Sequence, residues 1–421
     1  MELIINKIGK IKDANIKVNG LTVIAGKNDT GKSTVGKVLY ALLIALGTYS
    51  EFFANNQLTY IRQNLLLPLL QKVNAVSVPD VNFSKEIGAV IDYLRKPAFL
   101  RDKEKLTEAN ILNLLEKIRE AFAEQLPTEV AESVDAIITH FEKMRETSDE
   151  NKARLAFDFH LKSIFSSIIN NSKYHEEGSI GVINQEYRIL QTVVANNDVT
   201  DFKLEPIKAK SLYGKPIYIE SPFVLEKVFA FDKPNWENLM YVFRDANKAS
   251  DRISINTDML EFIQKTIFQQ AKFSFDSETN DFCYQVDSDS SKLTLLDVAS
   301  GIKSFALIFS LLKKDYLTKD SLLILDEPEN HLHPEWQIKY AEMVSLLVSK
   351  GFSVVLTSHS PTFIQALAAY ERKYNINEKT SFYLAEKIEG QNYSTLTDVT
   401  DNIERISENL VEPMDKLFLG V

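Results

Sequence analysis

The chain opens with strand-like alternation, Leu3-Ile4-Ile5 and then Ala14-Asn15-Ile16-Lys17-Val18. The turn pair Asn19-Gly20 leads from there into an unbroken apolar run, Leu21-Thr22-Val23-Ile24-Ala25. This spacing predicts a β-rich lobe feeding a buried strand, with a helical pattern beginning at Lys32. From about residue 50 the helical period takes over. Ile111, Leu114, Leu115, Ile118 and Phe122 fall on one helical face before Leu126-Pro127 stops the run, and Val130, Val134, Ile137, Ile138, Phe141 and Met144 form a second face. Two amphipathic stripes in succession predict a helical hairpin or small bundle inserted into an α/β domain.

Strand patterns return at Ile180 to Ile183, at Tyr187 to Val194 and at Pro216 to Ile219, the last ending in Glu220-Ser221-Pro222. A helical stretch near Met259 to Gln270 precedes a hairpin of Phe273 to Phe275 and Phe282 to Val286, with Asn280-Asp281 between. Two more apolar strands follow, Leu322 to Leu325 and Ser353 to Leu356. After them come a helix, a strand pair Phe382 to Glu386 with Ser394 to Val399, and a last helix from Asn402. The pattern divides the chain at 1–55, the first part of an α/β head; 56–178, the helical insertion; and 179–421, the rest of the head.

Composition adds limits rather than identity. With 421 residues, 45% apolar and 25% charged, the chain can bury a substantial core in two or three subdomains. A single cysteine, Cys283, excludes an internal disulfide framework and fits a reducing compartment, so a cytoplasmic location is expected. No basic-then-apolar leader stands at the N-terminus, and the apolar stretch Val38 to Leu46 falls far short of the roughly 20 residues of a membrane span, so no membrane is expected. A net charge of −10 argues against a basic nucleic-acid coat. The cluster Arg95, Lys96, Arg101, Lys103 and Lys105 is broken by Asp102 and Glu104 and reads first as a solvated helix face.

The chemistry begins at the end of the first buried strand. Gly26-Lys27-Asn28-Asp29-Thr30-Gly31-Lys32-Ser33-Thr34 is a complete phosphate loop set between strand and helix. Gly26 and Gly31 allow backbone N–H groups to converge on phosphate oxygens, Lys32 reaches the β- and γ-phosphates, Ser33 ligates Mg²⁺, and the helix N-terminus adds its dipole. Asp326-Glu327 closes the strand from Leu322, which suits Asp326 to the hydration shell of Mg²⁺ and Glu327 to polarising a water. The strand from Ser353 ends at His359, near the expected γ-phosphate. Ser300-Gly301 opens an apolar helix, Ser300 as its N-cap and Gly301 as room for a phosphate. ATP and Mg²⁺ are the expected ligands.

Taken in order, Gly26 to Thr34, Ser300-Gly301, Asp326-Glu327 and His359 resemble an ABC-type P-loop ATPase head. Asp326-Glu327-Pro328-Glu329-Asn330-His331-Leu332-His333-Pro334 and Thr357-Ser358-His359-Ser360-Pro361 narrow the resemblance to the RecF/SMC-like branch, nearest the OLD-family ATPases of phage defence of the PtuA/AriA-like group. The resemblance implies head-to-tail pairing, in which Ser300 acts on ATP held by the Gly26 to Thr34 loop of a second copy. A homodimer or higher even oligomer follows from it, with Glu327 and His359 catalytic and Glu329 to Pro334 facing the other subunit. His331 and His333 could act in catalysis or pack the interface. OLD proteins carry a Toprim nuclease, and the sixty or so residues after His359 do not fit one, so a separate effector, nuclease or toxin, is expected. The function expected is an ATP-driven switch in anti-phage defence or DNA surveillance. A repair-type ATPase that grips nucleic acid directly, and a transporter's nucleotide-binding subunit, stay open. Ala299-Ser300-Gly301-Ile302-Lys303 lacks the second glycine and glutamine of transporter signatures.

Overall fold

In the computed structural model of the chain, the described residues are all except 76–80, 96–106, 123–126, 167–168, 171–175, 206–211, 221–256, 270, 277–280, 286–292, 295–297 and 420–421. Most of the basic cluster from Arg95 to Lys105, the stop at Leu126 and the Ser221-Pro222 turn therefore lie outside the described residues. The chain divides into two compact units, residues 1–47 with 157–421, and residues 48–156.

The first unit holds strands β1 (Glu2–Ile8), β2 (Ile11–Lys17), β3 (Leu21–Gly26), β4 (Gly178–Asn184), β5 (Tyr187–Ala195), β6 (Asp198–Leu204) and β7 (Lys215–Ile219). It continues with β8 (Lys272–Asp276), β9 (Asp281–Gln285), β10 (Leu293–Thr294), β11 (Ser321–Asp326), β12 (Ser353–Ser358), β13 (Thr380–Lys387) and β14 (Ser394–Asp398). Eleven of these form one sheet in the order β6-β5-β4-β1-β2-β14-β13-β3-β12-β11-β7, and β8, β9 and β10 form a small antiparallel sheet. The strands from β6 to β2 pair antiparallel, whereas β13, β3, β12, β11 and β7 run parallel. Burial follows pairing. β2 alternates between buried and exposed positions, as a sheet with one wet face requires, and β3 is buried at all six positions, as a central parallel strand requires.

Helix α1 (Lys32–Tyr60) leaves the end of β3, and the unit boundary falls inside it after Gly47. The 48–156 unit adds a π-helical turn (Ile61–Leu66), α2 (Leu67–Ala75), α3 (Val81–Arg95), α4 (Glu108–Phe122) and α5 (Thr128–Glu146), then the start of α6 (Asp149–Ile164). Its own core gathers Ile61, Leu70, Ile87, Ile111, Ile118, Val134, Ile137 and Phe141, so both predicted stripes face this core, Phe122 of the first lying outside the described side chains. The run Lys32–Asn74 contains one window long and apolar enough to cross a membrane by composition. Its first turns follow the phosphate loop and bury Val35, Val38, Leu39 and Leu42 completely, as a core helix does.

Back in the first unit, α7 (Thr257–Ile263), α8 (Ser300–Lys313), α9 (Pro334–Ser349) and α10 (Pro361–Lys373) cover one face of the parallel strands, and α11 (Glu404–Leu419) is the last helix. Leu21, Val23, Leu323, Leu325, Val354, Leu356 and Phe382 meet Phe305, Leu312, Tyr340, Leu347, Phe363 and Leu367 there. Register then fixes the site. Asp326 pairs with Thr357 across β11 and β12, and Ser358 pairs with Ala25 across β12 and β3, so three carboxyl ends finish level at one edge. Phe305 is fully buried with its ring 5.0 Å from that of Tyr340 and 5.8 Å from that of Trp336, joining α8 to α9. Phe305→Ala is expected to cost about 3–5 kcal/mol, read as a lowered urea midpoint at unchanged slope.

Candidate functional site

The loop between β3 and α1 is shaped by two glycines. A Cβ on Gly26 would lie 2.5 Å from the Ala385 carbonyl oxygen on β13, and Gly31 has φ of 83°, so a side chain at either position forces the loop to move. Thr30 donates its hydroxyl to the Lys27 carbonyl at 2.8 Å, closing the turn. The Lys32 ammonium is 4% exposed and donates to the carbonyls of Gly26 and Lys27 at 3.0 and 2.9 Å, so it is held inside the loop. Thr34 is buried in the first turn of α1, and Asn28 is exposed. Asp29 faces outward between Lys10 and Lys387, and the hydrogen bond from Lys10 holds its carboxyl below the usual range. Lys27 pairs with Glu412 of α11.

Opposite the loop stands Asp326 at the end of β11. Its Oδ1 accepts the Ser33 hydroxyl at 2.9 Å and the Thr357 hydroxyl at 2.5 Å, and its Oδ2 accepts the Tyr218 phenol at 3.2 Å. Burial raises its pKa, and these donors oppose the rise. Glu327 takes the left-handed region at φ 49°. Its N–H donates to the Thr357 hydroxyl at 3.0 Å and its Oε2 accepts the Asn330 amide at 3.0 Å. Lys32 Nζ lies 3.5 Å and His359 Nδ1 3.3 Å from its Oε1. The nearby His359 is the main reason that the Glu327 pKa falls to about 2, and Glu327 in turn raises that of His359.

The residues after β12 are tied to those after β11 at every step. Ser358 donates to Glu329 Oε1 at 2.6 Å, the His359 N–H donates to the same oxygen at 3.1 Å, and the Ser360 hydroxyl donates to Gln337 Oε1 at 2.6 Å. Glu329 is 2% exposed, and burial pushes its carboxyl up. His333 caps α9 by accepting the Glu335 N–H at 3.4 Å; both His331 and His333 are exposed.

Ser300 departs from its expected local role. Ala299, with extended backbone at φ −57° and ψ 140°, is the N-cap of α8 and makes no side-chain cap, while Ser300 is the first helical residue. Its hydroxyl donates to the His331 carbonyl at 3.3 Å. A Cβ on Gly301 would meet the Trp336 ring at 3.0 Å and Leu332 at 3.3 Å, so this glycine lets α8 approach α9. The structure thus brings Lys32, Ser33, Asp326, Glu327 and His359 together, and sets Ser300 and Gly301 against the 331–336 segment.

Sequence reasoning missed Tyr218 and the double role of Thr357. The only local signal for Tyr218 was its place two residues before Glu220, at the end of a strand. The donor set suits a phosphate chain carrying a magnesium ion: a buried ammonium in a two-glycine loop ahead of a helix N-terminus, and Ser33 with Asp326 as hard oxygen donors.

The chain is similar to the Septu protein PtuA of Bacillus thuringiensis, at 21% identity over 260 residues, 56% of this chain and 63% of the relative. It thus spans less than two thirds of that relative's length. That protein falls in the PtuA-like group the motifs resemble. Among solved structures, it is similar to the SMC head domain from Thermotoga maritima, at 8% identity and a TM-score of 0.40, covering 94% of this chain and 98% of that one. It is similar also to an SMC head bound to the C-winged helix domain of ScpA, at 10% identity and a TM-score of 0.42, covering 94% and 96%. The model of the AAA ATPase domain matches residues 1–364, and the chain belongs to that family.

Proposed function

We propose that this chain binds and hydrolyses ATP as a magnesium-dependent switch. Two copies pair head to tail over shared sites and drive a separate effector, nuclease or toxin, in a cytoplasmic anti-phage or DNA-surveillance system. The observation that carries the reading is the convergence of Ser33 on Asp326 and of Lys32 and His359 on Glu327, contributed by α1, β11 and the end of β12. Loop amides and Lys32 would hold the β- and γ-phosphates, and Ser33 with Asp326 would hold magnesium, which when bound neutralises phosphate charge. Glu327, ionised at neutral pH beside Lys32, would orient and polarise the attacking water, and His359 would fix the carboxylate that does so. The defence setting is supported by the likeness to a Septu protein PtuA and by the run Glu329 to Pro334.

Pairing explains why Ser300 belongs to the 331–336 segment of its own chain and not to its own loop: both would face the ATP of the second copy. Glu327→Gln keeps size and the Asn330 contact but removes the charge. It is expected to retain ATP binding while phosphate release falls by about 10²-fold or more, and unchanged turnover would refute the role given to Glu327. Lys32→Ala and Ser300→Arg are each expected to be inactive. Mixed, they are expected to recover about a quarter of wild-type turnover, since one pairing in two has one intact composite site of two. No recovery on mixing would refute action in trans.

A further inference from the structure

Asp326 is held on both oxygens, and the donor on Oδ2 comes from a strand that carries no part of the nucleotide motifs. β7 lies beside β11 at the sheet edge, with Tyr218 opposite Ile324. The Tyr218 side chain is buried, its ring 5.8 Å from that of Tyr40 on α1, and its hydroxyl is 3.2 Å from Asp326 Oδ2. Space for that ring is made by Gly36, on the turn of α1 that follows Lys32 and Ser33. A Cβ there would stand 3.2 Å from Tyr218 Cε2 and 3.0 Å from Ile324 Cγ2. Gly36 has no unusual backbone to explain its identity, so close approach of the ring is the reason for it.

We infer that Tyr218 is a positioning residue for the metal site: by donating to Asp326 Oδ2 it fixes the carboxylate plane and leaves Oδ1, shared with Ser33 and Thr357, turned to the divalent cation. This rests on the nucleotide-site reading above. Ser33 and Thr357 hold only Oδ1, so the carboxylate can still swing about that oxygen, and a buried phenol locked by packing removes that freedom before the cation arrives. The role differs from a packing role because the ring fills the space beside Gly36 with or without its hydroxyl.

Tyr218→Phe tests this. Wild type and variant are titrated with Mn²⁺ in the presence of a slowly hydrolysed ATP analogue, and bound Mn²⁺ is read by electron paramagnetic resonance. Analogue binding is measured separately in EDTA, and melting temperature on both proteins. The expected result is an increase of about tenfold in the half-saturating Mn²⁺ concentration, with metal-free analogue binding unchanged. A half-saturating concentration within twofold of wild type overturns the inference. So does a parallel loss of metal-free binding and melting temperature, which marks a packing role. Wild type that binds no Mn²⁺ with the analogue overturns the nucleotide-site reading itself, and the inference with it.

Discussion

A single half-buried carboxylate governs this molecule's working edge. Asp326 accepts hydrogen bonds from Ser33 at the start of α1, from Thr357 near the end of β12 and from Tyr218 on β7, three elements far apart in sequence. Taking a carboxylate out of water is costly unless donors replace the lost hydration, and here each donor is supplied by a different piece of the sheet or its first helix. The same bonds that offset desolvation therefore also set the distance between the phosphate loop and the strand facing it. Loop geometry and acid geometry are consequences of one another.

Glu327 extends that logic. It sits in a backbone region that costs a non-glycine residue about 1 kcal/mol or more, and it is held there by the Thr357 hydroxyl and carbonyl, both taking its N–H. Thr357 thus serves two acids at once, donating to Asp326 and accepting from Glu327. From that position the Glu327 carboxylate meets both Lys32 and His359. The Glu329 carboxylate, itself buried, ties the Ser358 hydroxyl and the backbone of His359 to the segment that follows β11.

Much of this was legible in the sequence because it is local. The strand, loop and helix around Gly26 to Thr34, the acids after Leu325, the stripes ending at Phe122 and Met144, and the terminal strand pair are each written in the spacing of neighbouring residues. Other features were not, for physical reasons. β6 carries too few apolar positions to stand out, yet it pairs with β5 as an edge strand. Ser300 looks like a cap, but the chain turns helical at Ser300 itself, one residue past Ala299, and its hydroxyl goes to the distant His331 carbonyl instead. Tyr218 gains its role from the pairing of β7 with β11 across about a hundred residues, and no window of sequence contains both partners.

The central claim is that these level strand ends form a nucleotide site in which the loop and the acid are joined by a divalent cation. Calorimetric titration of the full chain with ATP, in Mg²⁺ and in EDTA, tests it most directly. The expected result is one ATP bound per chain in Mg²⁺, with affinity reduced about tenfold or more in EDTA. No binding, or binding indifferent to the cation, would contradict it.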